Sequence, residues 1–140
     1  EGIARAGAFV SPTVNSGWGR RIQHGGRPTR FFLRMARVLG TLKRCGVPLI
    51  ASTDAGIPGV EHHRLADALV GFARYAELTP ARTLHTATSA AAMALGLSEE
   101  TGAICTGLSA DLLVVDGNPL EDLSVLKTPR LVMARGVVVD

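Results

Sequence analysis

Two short apolar runs near the start of the chain predict buried β-strands. The first, "AGAFVSPTV", is bounded by Gly and Pro and is too brief for a helix, so we expect a strand over residues 8–14. The second, "GVPLIAST", is apolar at most positions of residues 47–53, which is typical of a strand covered by helices on both faces. Asp54 follows this second run directly.

The segment between the two runs has helical periodicity. In "PTRFFLRMARVLGTLKRCG" apolar residues recur every three or four positions, at Phe31, Met35, Val38 and Leu42. This spacing predicts an amphipathic helix that ends near Cys45. A strand, a helix and a strand without a hairpin signal indicate a βαβ unit. The two strands should therefore be parallel, with Thr13 and Asp54 at the same end.

Two further helices are predicted downstream. The segment "EHHRLADALVGFARYAEL" places four apolar residues on one stripe: Leu65, Leu69, Phe72 and Ala76. The segment "TPARTLHTATSAAAMALG" predicts one helix with Thr79 as its N-cap and Pro80 at its first position. Gly96 should end that helix.

From Gly102 onward the pattern changes to short β-rich runs: "GAIC", "ADLLVVD", "RLVMA" and "VVVD". Arg135 and Gly136 between the last two runs predict a two-residue hairpin turn. We therefore expect a boundary near residues 98–102. It would separate a partial barrel at residues 1–101 from a β-strand segment at residues 102–140.

Composition places the chain among compact soluble domains. It has 140 residues, of which 46% are hydrophobic, so it can bury a core. Its apolar runs are shorter than the roughly 18 residues of a membrane span, and no signal pattern opens the chain, so we expect a cytoplasmic protein. Cys45 and Cys105 should be buried thiols rather than a disulfide. The chain starts with Glu1 in a helix-like segment, which indicates a piece of a longer protein.

Basic residues are concentrated at the start of the chain. Residues 1–46 carry nine Lys or Arg and one acid, a net charge of +8, whereas residues 47–140 have a net charge of −5. Such asymmetry can indicate a nucleic-acid or acidic partner. Several arginines instead form a stripe beside the apolar face of the predicted helix: Arg30, Arg34, Arg37 and Arg44. We interpret them as a solvated face, because a single-strand binder would interleave aromatics.

In this order the motifs resemble the C-terminal part of the metal-dependent amidohydrolase superfamily, in particular its imidazolonepropionase-like and Xaa-Pro-dipeptidase-like members. The run "GAFVSPTV" is similar to the seventh barrel strand, "GVPLIASTDAG" to the eighth, and "LTPARTLHTATSAAAMALGL" to the helix after it. The tail "TGAICTGLSADLLVVDGNPLEDL" and "VMARGVVVD" looks like returning β-sandwich strands.

The resemblance implies an α/β fold, namely the last two strands and helices of a TIM (β/α)8 barrel followed by short strands of a small β-sandwich domain. Such barrels need about 250 residues and build active sites at the C-terminal ends of their strands. Asp54 lies at such an end, so the resemblance makes it a metal ligand and a general base. The implied cofactor is a divalent metal, zinc, which activates water and polarises an amide carbonyl. The alternative is that Asp54 only forms a turn.

The histidines do not form a metal motif by themselves. His62 and His63 are adjacent, so on a helix they point about 100° apart and rarely share a metal. One of them is expected to line the substrate mouth after the eighth strand, although a surface histidine at a helix start explains them equally well. His85 is expected to pack within its helix, and His24 in the Gly-rich loop has no assigned role.

The Gly-rich segment "NSGWGRRIQHGGRP" follows the first strand on the side where active-site loops belong. Long loops in compact domains are either functional or disordered. Trp18, Arg20 and Arg21 could bind a substrate carboxylate or apolar group, or they could be mobile and solvent-facing. Thr13, at the strand end before this loop, is assigned to the same substrate mouth. The segment lacks the Lys-Ser/Thr of a phosphate loop.

Two classes of function fit these observations. The chain is the C-terminal part of a hydrolase that cleaves an amide, dipeptide or lactam bond, or it is a non-catalytic partial barrel that binds a partner or completes an assembly. The family's His-X-His, bridging Lys and later metal histidines have no counterpart here, and a catalytic zinc needs about three protein ligands. We therefore expect this chain alone to be inactive. An upstream reading frame with His-X-His would favour the enzyme.

The expected partners follow from both classes of function. The first is a small amide or peptide substrate, and neither a membrane nor a nucleic acid is expected. The second is another copy of the chain or the missing barrel portion, because an uncovered sheet edge favours association.

Overall fold

The computed structural model describes residues 2–139 and contains both helices and sheets, as expected. The helices are α1 (Gly2–Arg5), α2 (Arg30–Arg44), α3 (Leu65–Ala76), α4 (Pro80–Ala87) and α5 (Ser89–Leu95), with 3-10 helices at Ser16–Arg21, His62–Arg64 and Leu123–Lys127. The strands are β1 (Gln23–His24), β2 (Arg27–Pro28), β3 (Leu112–Val115), β4 (Pro129–Ala134) and β5 (Val137–Val139). Glu1 and Asp140 lie outside the described residues.

The two predicted N-terminal strands run parallel but pair at one point, between Val10 and Leu49. The Val10 N–H donates to the carbonyl of Pro48 at 2.9 Å, and the Ile50 N–H donates to the carbonyl of Val10 at 3.1 Å. The parallel arrangement inferred from the βαβ pattern is confirmed.

Prolines limit this pairing on both sides. In a parallel ladder the preceding bond would need the N–H of Pro48 and the following bond would need the N–H of Pro12, and proline has no N–H. The extended strands predicted over residues 8–14 and 47–53 are therefore wrong in extent. Each segment is extended backbone with one bridge.

Helix α2 confirms the predicted amphipathic helix. Thr29 is its N-cap and accepts the Phe32 N–H at 3.1 Å, and Gly46 follows its end with φ of +72°. The apolar face differs by one residue from the prediction, since Leu39 is 1% exposed and Val38 is 45% exposed. The predicted basic face is exposed: Arg30, Arg34, Arg37 and Arg44.

The single helix predicted after Thr79 is two helices. Thr79 and Pro80 start α4 and Gly96 ends α5, as predicted. The break falls at Thr88, with φ of −124° and ψ of −100°. Its hydroxyl donates to the carbonyl of Leu84 at 2.8 Å, and hydroxyls that bond back to the preceding turn bend helices.

The core lies between α2, α3 and the paired segments, and its buried members are Val14, Ile22, Leu39, Leu49, Phe72, Tyr75 and Ala76. Tyr75 is 0% exposed and donates its hydroxyl to the carbonyl of Trp18 at 3.0 Å. Its ring meets the rings of Trp18 and Phe32 edge to face, with centroids 5.2 and 4.9 Å apart. Burial raises the pKa of Tyr75. The Gly-rich segment is thus anchored to the core through Trp18.

The C-terminal sheet has the order β3-β4-β5 and is antiparallel. Arg135 and Gly136 have φ of +52° and +79° and form the predicted two-residue turn. The strand predicted for "GAIC" is wrong, because this segment is irregular and pairs with no strand among the described residues. One face of the sheet exposes a row of apolar side chains: Leu113, Val132 and Val139.

Besides Val38, four side chains expected to be buried are exposed. Leu65, predicted on the apolar stripe of α3, is 40% exposed because it is the first residue of that helix. Cys45 and Cys105 are free thiols at the surface, because Cys45 caps the end of α2 and Cys105 lies in a surface turn. His85, expected to pack, is exposed on α4. No helix among residues 2–139 is long and apolar enough to cross a membrane.

Candidate active site

Asp54 ends the second parallel segment, and its carboxylate is exposed. Its φ is +59°, in the left-handed region that few residues other than Gly enter, although Asp tolerates it better than most. Within residues 2–139 the carboxylate makes no hydrogen bond or ion pair. The Gly56 N–H, which an Asp turn would use, donates instead to the carbonyl of Val60 at 3.0 Å. The carboxylate is therefore free to accept a proton or bind a cation.

Thr13 lies beside this strand end, as the βαβ prediction requires. Its N–H donates to Oγ of Ser52 at 3.2 Å, and Ser52 precedes Asp54 by two residues. The hydroxyls of Ser52 and Ser11 are hydrogen-bonded to each other. Thr13 has φ of +49°, which is rare for a β-branched residue. Ser11 and Ser52 are not among the site residues predicted above, although each is a hydroxyl residue near the end of an apolar run.

The two adjacent histidines have different surroundings. A Cβ added at Gly56 would lie 3.7 Å from Cε1 of His62, so the His62 ring lies over the loop that follows Asp54. The side chain of His63 is 78% exposed, with Nε2 3.4 Å from Oε2 of Glu61. Only His62 is directed back toward the Asp54 loop.

Trp18 and Arg20 line a separate cleft of about 440 Å³, together with Asn15, Gly17, Arg21 and Phe31. The guanidinium of Arg21 lies 5.0 Å from the centroid of the Phe31 ring and makes a cation–π contact with it. Arg20 is exposed and has no partner among the described residues. The lining includes neither Asp54 nor the other candidate residues. The structure therefore brings the candidates together in two groups, not one.

A larger cleft of about 870 Å³ lies elsewhere, beside the start of the second parallel segment. Its walls include Val47, Leu49, Arg82 and His85, and none of the candidate residues. Leu49 lines this cleft, and nearby the Ala51 N–H donates to the carbonyl of Thr86 at 3.1 Å. Size alone therefore does not identify the site.

The donors around Asp54 do not complete a catalytic metal site. Residues 2–139 contain no group of three or more His, Cys, Asp and Glu side chains that could hold a metal ion. A catalytic zinc needs about three protein ligands and an open position. Asp54 fits as one oxygen ligand of such a site.

A cluster of charges fixes the histidine turn to the rest of the fold. Asp67 on α3 accepts a hydrogen bond from Nε of Arg64 at 2.9 Å and pairs with Nζ of Lys127 at 3.0 Å. The hydrogen bonds from Lys127 and then from Arg64 lower the pKa of Asp67. The 3-10 helix His62–Arg64 is thus held to α3 and to the 3-10 helix Leu123–Lys127.

Comparison with known proteins gives consistent similarities. The sequence profile described as the amidohydrolase family matches residues 34–139. A prolidase candidate from Bifidobacterium longum is 32% identical with a TM-score of 0.78, over 94% of this chain and 35% of that chain. A search of curated proteins found no match.

Two more distant structures are similar in fold alone. A Xaa-Pro dipeptidase with bound methionine is 23% identical with a TM-score of 0.75, over 99% of this chain and 36% of that chain. An adenosine deaminase from Xanthomonas campestris with bound zinc is 21% identical with a TM-score of 0.62, over 97% of this chain and 33% of that chain. The chain therefore spans about a third of the length of the solved structures it matches.

Proposed function

The chain belongs to the amidohydrolase family, and on this premise we propose that the protein containing it hydrolyses a carbon–nitrogen bond of a dipeptide, lactam or related amide. One observation carries the proposal: Asp54 presents a carboxylate with no partner among residues 2–139 at the end of a parallel segment, beside the end of its neighbour. Parallel barrels place their catalytic groups at such ends. In this proposal residues 1–101 contain the seventh and eighth strands of a TIM barrel, and residues 102–140 contain strands of a β-sandwich.

The proposed cofactor is a divalent metal, zinc, which when bound activates water and polarises the amide carbonyl. The zinc in the Xanthomonas campestris adenosine deaminase, a structure of similar fold, supports this choice. Asp54 would supply one ligand. The remaining ligands would come from other parts of the protein, because residues 2–139 hold no suitable cluster.

Asp54 is also proposed as the catalytic base. A carboxylate within hydrogen-bond reach of the attacking water accepts its proton and then donates it to the leaving nitrogen. Amide nitrogen leaves poorly without that proton, so the same group serves both halves of the reaction. The lack of a competing ion pair at Asp54 in the described residues supports this role.

We assign the substrate contacts to two places, the cleft lined by Trp18 and Arg20 and the surroundings of Asp54. Arg20, which lines the same cleft as Trp18, would bind the carboxylate of a dipeptide-like substrate. His62 and Thr13 would line the mouth around Asp54, and His63 would lie at its rim. The Xaa-Pro dipeptidase of similar fold binds methionine, an amino acid with a carboxylate. That ligand supports a dipeptide-like substrate with a carboxylate.

A second candidate is a non-catalytic module, and the incomplete set of metal donors favours it for this chain taken alone. In both cases we propose association with the rest of the barrel or with a second copy. The exposed apolar row on the β3-β4-β5 sheet supports such contact. Free thiols at Cys45 and Cys105 accord with the proposed cytoplasmic location.

The test compares the 140-residue chain, the protein at its natural length and its Asp54→Asn variant. Each is assayed for bound metal and for hydrolysis of dipeptides and lactams. The substitution keeps the shape of the side chain but removes its charge and basicity, so we expect a rate loss of about 10² to 10⁴. Asp116→Asn is the matched control, because Asp116 is an exposed carboxylate far along the chain from the site.

We expect no turnover and no stoichiometric zinc in the 140-residue chain. Zinc with turnover in that chain would refute the ligand argument. A fully active Asp54→Asn protein would refute the role of Asp54, and a natural-length protein that hydrolyses no amide would favour the non-catalytic candidate.

A further inference from the structure

The backbone pairing that aligns the two parallel segments stops before it reaches Asp54. The last bond joins the Ile50 N–H to the carbonyl of Val10. The next bond of a parallel ladder would come from the N–H at position 12, which is proline. Four residues of the second segment, 51–54, therefore lie beyond the reach of the ladder.

The Ser52 hydroxyl bridges the two segments beyond that point. It accepts the Thr13 N–H at 3.2 Å and is hydrogen-bonded to the Ser11 hydroxyl. These contacts fall on both sides of Pro12 and replace the missing backbone bond with side-chain bonds. They also act directly on Thr13, whose left-handed backbone needs support from its surroundings.

We infer that Ser52 is a positioning residue for Asp54. Its hydroxyl locks the two segment ends together where Pro12 interrupts the ladder, and so fixes the backbone from which Asp54 projects two residues later. The inference rests on the proposed function, because only in that proposal does the position of Asp54 matter for chemistry. A shift of about 1 Å in such a group can lower a rate by about 10².

Two substitutions at position 52 test this inference in the natural-length protein. Ser52→Ala removes the hydroxyl, and Ser52→Thr keeps it, so we expect the first to lower kcat about 10- to 100-fold with KM changed less than about threefold. Ser52→Thr should retain kcat within about threefold. The control is Ser98→Ala, which removes an exposed hydroxyl that has no hydrogen bond among the described residues.

Hydrogen exchange at the Thr13 amide separates this inference from the proposed function. Ser52→Ala should accelerate exchange at Thr13 at least about tenfold, and Ser98→Ala should not, whether or not the protein hydrolyses amides. Unchanged exchange in Ser52→Ala would overturn the bridge. Faster exchange with unchanged kcat would overturn the positioning role. If Asp54→Asn retains full activity, the proposed role of Asp54 fails, while the exchange result still decides whether the bridge exists.

Discussion

Single side chains decide how a substrate would be recognised, and Arg20 is the clearest case. Its neighbour Arg21 is engaged with the Phe31 ring, whereas Arg20 faces the cleft beside Trp18 without a partner in the described part of the chain. The two arginines are adjacent in the sequence, but only the structure distinguishes an anchoring guanidinium from an available one.

We expect Arg20→Gln to raise KM for a dipeptide about tenfold and to leave kcat within about twofold, because a charge-assisted bond made equally in the ground and transition states acts on binding. Steady-state kinetics of the natural-length protein measure both constants. Arg37→Gln, on the exposed face of α2, is the control and should change neither. A loss confined to kcat would contradict the assignment of Arg20 to carboxylate binding.

The sequence predicts some elements better than others. The well-predicted ones depend on residues that are close together along the chain. Helix caps and the Arg135-Gly136 turn depend on neighbours within a few residues, so Thr29, Thr79 and Gly96 could be assigned from the sequence. The restriction of the parallel pairing to one bridge could also be predicted, because Pro12 and Pro48 lack the N–H groups of the adjacent ladder bonds. The break at Thr88 depends on how hydroxyls are used in three dimensions, which periodicity does not show.

The juxtaposition of Asp54 and Thr13 was predictable from element order, whereas the contacts around Asp54 were not. Asp54 and Thr13 were placed at one end by the βαβ rule, which needs only element order. Which of the two adjacent histidines faces the Asp54 loop is visible only in three dimensions, and the ion pair of Asp67 with Lys127 joins residues 60 positions apart.

Helix α5 packs closely against the backbone at Gly102, which follows it in the chain. A Cβ at Gly102 would lie 2.6 Å from Cβ of Ala92 and 3.2 Å from the carbonyl of Thr88, whereas a Cβ at Gly107 would meet nothing within 4 Å. The two glycines have similar φ, +97° and +92°.

We therefore expect Gly107→Ala to lower the free energy of unfolding by about 1–3 kcal/mol through backbone strain. Gly102→Ala should lower it by about 1–3 kcal/mol more, because overpacking adds to the same strain. Urea unfolding followed by circular dichroism measures both. Equal losses would mean that α5 moves away from the turn at little cost.

At the scale of the whole molecule, Asp67 connects the helical part to the C-terminal segment. Its pKa lies below the ordinary value, so its stabilisation is present above that value and is lost as the pH falls through the folded-state pKa. The side chain is 28% exposed, which keeps the expected contribution near 0.3–1 kcal/mol, roughly that of a surface ion pair.

Asp67→Asn should accordingly reduce the free energy of unfolding by that amount at about pH 7, and the effect should shrink as the pH falls through the lowered folded-state pKa of the wild-type carboxylate. Urea unfolding across this pH range measures the difference. Asp116→Asn, which breaks the more exposed pair with Arg130, should have a smaller effect at about pH 7. An Asp67→Asn effect that does not diminish as the pH falls through the acid range would point to packing rather than charge.

The chain has two lysines, and both hold α3. Nζ of Lys43 donates to the carbonyls of Ala76 and Glu77 at the C-terminal end of the helix, while Lys127 pairs with Asp67 near its first turn. Acylation of a lysine removes its charge. Amine-coupling reagents, commonly used to attach dyes or fix proteins to a sensor surface, would therefore loosen α3 at both ends, whereas thiol coupling at the exposed Cys45 and Cys105 leaves both lysines unmodified.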